Sequence, residues 1–124
     1  MHASLAKAPQ RSILLVDDEA LVRMGIALLL EELDFNVFQA ANAPQGLNIL
    51  SENPGIIAVI TDYRMADMDG IMLIDKARQI APLVSAILMT GYDSGDARFD
   101  SLDAPHLAKP FGIAELEAAL SKVI

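Results

Sequence analysis

The stretch Ile56–Asp62 reads Ile-Ile-Ala-Val-Ile-Thr-Asp and decides the fold predicted for this chain. Its first five residues are all apolar, and Asn53-Pro54-Gly55 interrupts the chain immediately before them. A continuous apolar run that follows a chain-breaking turn is typical of a central strand in a parallel sheet, which is buried on both faces. Residues 56–61 are therefore predicted to form a buried strand, and Asp62 lies where that strand ends.

Strand-like and helix-like segments alternate on both sides of this stretch, with short connectors between them. Apolar runs predict strands at 12–16, 35–40, 85–90 and 105–108. Apolar residues at helical spacing, with Asn42 as the cap of the second helix, predict helices at 19–33, 43–51, 71–80 and 113–124. The order is (βα)5, and right-handed crossovers then place helices on both faces of a doubly wound, five-stranded parallel sheet. Residues 92–104 carry few apolar anchors, so the fourth helix is expected to be shortened or irregular.

Length and composition limit the class of protein. The chain has 124 residues, which is the size of one domain. Residues 1–11 lack periodicity and are predicted to be a disordered N-terminal lead before a single domain at 12–124. A formal net charge of -8 argues against binding to nucleic acid, and the absence of cysteine excludes disulfides and thiolate metal sites. No apolar stretch approaches the roughly 18 residues that span a bilayer. We expect a soluble cytoplasmic protein with no membrane contact and no direct contact with nucleic acid.

Polar residues follow four of the predicted strands, at the points where the apolar runs stop. They are Asp17-Asp18-Glu19, Asp62, Thr90 and Lys109. Ligands of open α/β sheets bind outside the carboxyl ends of the strands, so these side chains are expected to share one site. Taken alone, the three acids could simply cap the next helix, since negative charges favour a helix N-terminus. Taken together, carboxylates, a hydroxyl and an ammonium group suit Mg²⁺ and a phosphoryl group, and a carboxylate can be the covalent acceptor.

Four motifs together make the chain resemble the receiver domain of two-component response regulators, over roughly residues 11–124. They are Leu15-Val16-Asp17-Asp18-Glu19, the segment 62–70, Met89-Thr90-Gly91 and Lys109-Pro110-Phe111. The resemblance implies the flavodoxin-like sheet of CheY-like proteins. Our first expectation is a receiver of the single-domain type.

The resemblance implies a role for each residue of the site. Asp62 would accept a phosphoryl group from a phosphohistidine, and Thr90 and Lys109 would contact the oxygens of that group. Mg²⁺ would be held by Asp18 directly, by Asp17 mainly through water, by Asp62, and by the backbone carbonyl of Arg64. The implied partners are a sensor histidine kinase or a histidine phosphotransfer protein, and a downstream protein that the sequence does not identify. The chain would be a signalling domain rather than an enzyme, although it would catalyse its own phosphorylation and dephosphorylation.

Three departures from the family pattern concern the transmission of the signal. Ala66 stands where proline is usual, so the loop after Asp62 would be less rigid. His106 stands where the family has an aromatic switch residue, and it is either a satisfied strand residue or a switch that also responds to pH. The interval from Thr90 to Lys109 is shorter than usual, which agrees with a weak fourth helix and leaves the usual output surface in question.

Several functional alternatives stay open at this point. A receiver could signal through phosphorylation-dependent protein contacts, serve as a phosphorelay or phosphate-sink intermediate, act only as a docking domain, or belong to a longer regulator or hybrid kinase. A haloacid-dehalogenase-type phosphatase is a distant alternative. Such enzymes have a second aspartate two residues after the nucleophile, and this chain has Arg64 at that position. Apolar residues cover more than one face of the first helix, either as a broad core-facing stripe or as a contact surface. We therefore expect a monomer or a weak dimer.

Overall fold

The computed structural model describes residues 10–91 and 97–124. One sheet contains five parallel strands: β1 (Ser12–Val16), β2 (Asn36–Ala40), β3 (Ile56–Asp62), β4 (Ser85–Thr90) and β5 (His106–Ala108). The described helices are α1 (Ala20–Glu32), α2 (Ala43–Glu52), α3 (Gly70–Ile80), α4 (Arg98–Ser101) and α5 (Ile113–Ser121). The strand order β2-β1-β3-β4-β5 confirms the predicted doubly wound parallel sheet, with β3 at its centre.

The core lies on both faces of the sheet, because successive strand residues point to opposite sides. Ile13 and Leu15 of β1 pack in the cluster that α1 and α5 cover, whereas Leu14 and Val16 pack in the cluster under α2 and α3. All four are fully buried. Burying one such aliphatic side chain stabilises a fold by about 1.5–3 kcal/mol, so this double-sided strand fixes the sheet between its two helical layers.

Side-chain caps explain where two of the helices begin. The Asn42 side chain accepts a hydrogen bond from the Gln45 backbone N–H at 2.8 Å, so Asn42 caps α2 as predicted. Asp69 accepts from the Met72 backbone N–H at 2.9 Å and caps α3. The predicted start of α3 at residue 71 is therefore one residue late, because the Asp69 cap makes Gly70 the first helical residue.

Most predicted element ends are right within about one residue, and the differences have identifiable causes. β2 begins at Asn36 rather than 35, because the Phe35 N–H closes α1 by donating to the Leu30 carbonyl at 3.1 Å. The predicted end of α5 at residue 124 is wrong. The helix ends at Ser121, because the next two N–H groups donate to carbonyls only three residues back: Lys122 to Ala119 at 3.2 Å and Val123 to Leu120 at 3.0 Å.

The fourth helix has four residues, which agrees with the predicted shortening. Its Phe99 and the following Leu102 pack beside a small buried cluster that includes Ile71 and Leu88. Residues 92–96 of the predicted irregular segment, and residues 1–9 of the predicted lead, lie outside the described residues. Within the described ranges, none of the helices has the length and apolar character needed to cross a membrane.

Candidate functional site at the carboxyl edge of the sheet

Strand register brings the predicted site residues to one edge of the sheet. Val16 is level with Thr61, so Asp17 and Asp62 follow at neighbouring strand ends. Thr90 closes β4 and is level with Ala108, which places Lys109 directly after the end of β5. The structure therefore gathers in space the carboxylates, hydroxyl and ammonium group that stand far apart in the sequence.

Three carboxylates form a compact cluster at this edge. One carboxylate oxygen from each of Asp17, Asp18 and Asp62 lies within 4.8 Å of the others. Asp17 is buried, Asp62 is partly buried and Asp18 is exposed, so the cluster opens to solvent on one side. Hard carboxylate oxygens at an open edge, with space for water and a phosphoryl oxygen, fit the donor set that Mg²⁺ prefers.

Lys109 supplies the positive charge that this cluster needs. Its Nζ lies 2.7 Å from Asp17 Oδ2 and 3.5 Å from Asp62 Oδ1, and its side chain is 19% exposed. Burial by itself lowers the pKa of Lys109, but the hydrogen bond that Lys109 donates to Asp17 and the negative charges of Asp62 and Asp17 outweigh that effect. The net pKa is raised above the usual lysine value, so Lys109 is a permanent cation here.

Burial and neighbouring carboxylates disfavour the charged form of Asp62. Burial raises the pKa of the Asp62 carboxyl from 3.8 to about 6, because desolvation disfavours its charged form. The Lys109 ammonium opposes this shift, whereas the negative charges of Asp17 and Asp18 add to it. A divalent cation among the three carboxylates would remove the repulsion, which is a second indication that the residues fit such an ion.

Asp17 is the most constrained member of the cluster. Its Oδ1 accepts from the Glu19 N–H at 3.0 Å, and its own N–H donates to the Ala40 carbonyl at 3.1 Å. Its backbone carbonyl accepts from Arg23 Nη1 at 2.7 Å. Together with the Lys109 contact, these bonds hold both the side chain and the main chain of this residue. The sequence analysis did not single out Arg23, because nothing in a helical pattern indicates which carbonyl a long side chain reaches.

Gly70 is a second residue whose role the sequence analysis missed. Its N–H donates to the Tyr63 carbonyl at 2.8 Å, and the Tyr63 N–H donates to the Met89 carbonyl at 2.9 Å. A Cβ atom at residue 70 would lie 2.3 Å from the Asp62 carbonyl oxygen and 2.7 Å from a Leu88 methyl group. Only glycine lets α3 approach this closely, so Gly70 helps to fix the backbone that carries Asp62.

Thr90 and His106 occupy different surroundings. Thr90 is buried, and its carbonyl accepts from the Lys109 N–H at 2.7 Å, which ties the ends of β4 and β5 together. His106 is exposed on β5, and its ring meets Phe99 edge to face at a centroid distance of 5.0 Å. Phe99 makes the same kind of contact with Tyr63, also at 5.0 Å. A row of three rings therefore connects the residue after Asp62 to the expected switch position.

The remaining predicted ligand belongs to the loop after Asp62. Arg64 is exposed, and its guanidinium carbon lies 5.8 Å from the centroid of the Tyr63 ring. The assignment of its backbone carbonyl to Mg²⁺ stays a prediction. Ala66, in the same loop, is also exposed.

Comparison with known proteins identifies the family of this chain. The family model described as the response regulator receiver domain matches residues 13–121. Sporulation initiation phosphotransferase F of Bacillus subtilis (strain 168) is 35% identical over 120 residues, which cover 90% of this chain and 92% of that protein. The sensor kinase CckA of Brucella abortus (strain 2308) is 32% identical over 117 residues, which cover 91% of this chain and only 12% of the kinase.

A solved structure agrees with these sequence matches. The crystal structure of a response regulator receiver domain protein from Clostridium thermocellum superposes with a TM-score of 0.82 at 30% sequence identity. The superposition covers 91% of this chain and 93% of that one. The sequence and structure comparisons thus agree with each other, and they favour the receiver over the haloacid-dehalogenase-type alternative. This chain belongs to the response regulator receiver domain family.

Proposed function

We propose that this receiver domain accepts a phosphoryl group on Asp62 and transmits its phosphorylation state through protein contacts. The observation that supports this most strongly is the position of Asp62. It is a partly buried carboxylate that closes the central strand, clusters with Asp17 and Asp18, and lies 3.5 Å from the ammonium group of Lys109. Family membership supports the same reaction class.

The proposed step is a direct displacement at phosphorus. A carboxylate oxygen of Asp62 attacks the phosphorus atom of a phosphohistidine, the P–N bond breaks, and its electron pair stays on the leaving imidazole nitrogen. Asp17, Asp18 and Asp62 would hold Mg²⁺, which neutralises charge on the phosphoryl oxygens. Lys109 adds a second positive charge on the side of β5, and Thr90 offers a hydroxyl group from β4.

Thr90 and His106 are the proposed switch residues. Each charge-assisted hydrogen bond to the phosphoryl group contributes about 1.5–3 kcal/mol, so contacts from Thr90 and Lys109 would supply about 3–6 kcal/mol. A shift of a two-state equilibrium from 1:99 to 99:1 needs about 5.5 kcal/mol. The contacts among the rings of Tyr63, Phe99 and His106 would couple a conformational change at the site to α4.

An apolar groove beside the site is a candidate contact surface for the phosphodonor protein. The groove has a volume of about 570 Å³ and lies between α1 and the segment that follows Lys109, where Pro110 and Phe111 line it. Leu21 on its rim is 84% exposed, and Leu28 on the same helix is 65% exposed. We infer that a histidine kinase or phosphotransfer protein would cover this face while its phosphohistidine reaches Asp62. Similarity to a short part of a sensor kinase supports, as a second candidate, a receiver that works within a longer protein.

Phosphorylation by acetyl phosphate tests the proposal without a known kinase. With Mg²⁺ present, intact-mass spectrometry should show one added phosphoryl group on the wild type and none on Asp62→Asn. The matched control is Asp67→Asn, which removes an exposed carboxylate from the same loop and should be labelled like the wild type. Chelation of Mg²⁺ should abolish labelling of the wild type. An Asp62→Asn variant that is labelled as fully as the wild type would overturn the assignment.

A further inference from the structure

Arg23 connects α1 to the acidic loop through two directed hydrogen bonds. Its Nη1 donates to the Asp17 backbone carbonyl at 2.7 Å, and its Nε donates to Gln39 Oε1 at 3.2 Å. Gln39 lies on β2 in register with Leu15, just before the loop begins. The planar guanidinium group is therefore oriented by Gln39 of β2 while it donates to the Asp17 carbonyl.

That carbonyl belongs to the peptide unit between Asp17 and Asp18. A peptide unit is planar, so a hydrogen bond that fixes its oxygen also fixes the position of the Asp18 Cα atom. The Asp17 side chain is already held by the Glu19 N–H and by Lys109. Asp18, in contrast, is exposed. The hydrogen bond from Arg23 thus fixes the Cα position of Asp18, the residue that carries the exposed carboxylate of the cluster.

We propose that Arg23 is a positioning residue for Mg²⁺. Arg23 holds the peptide between Asp17 and Asp18, and Gln39 orients the Arg23 guanidinium group. The inference rests on the proposed function, since it requires Mg²⁺ at this cluster. Residues that orient metal ligands without touching the metal typically change metal affinity 10–100-fold when they are removed. Arg23 is suited to such a role because two separate nitrogens of one rigid plane, Nη1 and Nε, donate to the two acceptors, whereas a lysine offers a single flexible ammonium group.

The sign of the effect separates this role from a simple charge effect. Arg23 is a cation near a site for a divalent cation, so its charge alone repels Mg²⁺. Removing that charge would strengthen Mg²⁺ binding if electrostatics were the whole effect. Loss of a positioning residue weakens binding instead. The two explanations therefore predict opposite changes in the dissociation constant.

Isothermal titration of the intact chain with MgCl₂ at constant ionic strength measures this change. Arg23→Gln should weaken Mg²⁺ binding about tenfold relative to the wild type. Gln39→Ala, which keeps the Arg23 charge and changes an exposed residue, should weaken Mg²⁺ binding in the same direction, but less than Arg23→Gln does. Lys76→Gln removes one positive charge from an exposed position on α3 and should leave the dissociation constant unchanged within about twofold. Thermal melts without Mg²⁺ show that each variant is folded at the titration temperature.

Each outcome has a distinct meaning. Mg²⁺ binding by Arg23→Gln that is equal to or tighter than that of the wild type contradicts the positioning role. If Arg23→Gln does not fold, an unchanged Mg²⁺ affinity in Gln39→Ala contradicts it. Equal weakening in Lys76→Gln would show that the loss of affinity is not specific to Arg23 and would also overturn the inference. A wild-type protein without saturable Mg²⁺ binding contradicts the proposed function itself, whereas equal binding by wild type and variants contradicts only the role of Arg23.

Discussion

Replacement of Asp62 by asparagine should stabilise the folded protein at neutral pH in the absence of Mg²⁺. In the folded state the Asp62 carboxyl has a pKa of about 6, raised from 3.8 mainly by burial. The folded state therefore binds this proton more tightly than the unfolded state, and the free energy of unfolding falls as pH rises from about 4 to about 6. Asparagine has the same shape without the charge, so it avoids this loss.

The magnitude follows from the size of the shift. One pKa unit corresponds to 1.36 kcal/mol, so a shift of about two units gives an upper estimate of about 3 kcal/mol at pH 7.5. The side chain of Asp62 is only 14% exposed, so solvent screening removes little of this value. At pH 5 the folded carboxyl is mostly protonated, and linkage reduces the expected gain to roughly half.

Urea denaturation at pH 7.5 and pH 5, with a chelator present, measures the effect. The difference in unfolding free energy between Asp62→Asn and wild type should be about 1–3 kcal/mol at pH 7.5 and clearly smaller at pH 5. Asp67→Asn, an exposed carboxylate in the same loop, should change stability by less than about 0.5 kcal/mol at either pH. An Asp62→Asn variant that is less stable than the wild type at pH 7.5, or a gain independent of pH, would contradict the raised pKa of Asp62.

Other perturbations test separate parts of the structure. Gly70→Ala forces a Cβ atom against the Asp62 carbonyl and should cost about 1–3 kcal/mol in urea denaturation and slow labelling by acetyl phosphate. Gly25→Ala is its control, because a Cβ atom there meets nothing within 4 Å and should stabilise α1 by about 0.5–1 kcal/mol; equal destabilisation in both variants would contradict the role of Gly70. Asn42→Ala removes the cap of α2 and should cost about 1 kcal/mol in the same assay, and an unchanged midpoint would contradict the cap. His106→Ala should leave labelling of Asp62 intact but remove phosphorylation-dependent NMR shift changes near Phe99, and shift changes equal to those of wild type would exclude His106 as the switch.

The sequence predicted the sheet and the members of the site for a simple physical reason. A strand such as Ile56–Asp62 reveals its burial through an unbroken apolar run, and the polar residue that ends it must lie at the edge of the sheet. Three separate apolar runs that end in Asp17, Thr90 and Lys109 then place those residues at the same edge without knowledge of any contact.

Contacts between particular side chains were beyond this reasoning. The hydrogen bond from Arg23 to the Asp17 carbonyl depends on the rotamer of a long side chain, and hydrophobic periodicity carries no information about rotamers. The close approach at Gly70 depends on the distance between α3 and β3. The end of α5 at Ser121 depends on a tightened last turn, in which N–H groups donate three residues back, and the apolar stripe of that helix does not encode this change.

Chemical trapping of the phosphorylated residue tests the central claim most directly. The protein is labelled with acetyl phosphate and Mg²⁺, and borohydride then reduces the acyl phosphate, which converts a phosphorylated aspartate into homoserine. Peptide mass spectrometry should find homoserine at residue 62, and the signal should be absent when Mg²⁺ is chelated. Homoserine at Asp17, Asp18 or Asp67 instead, or a phosphoryl group that survives on another side chain, would contradict the account.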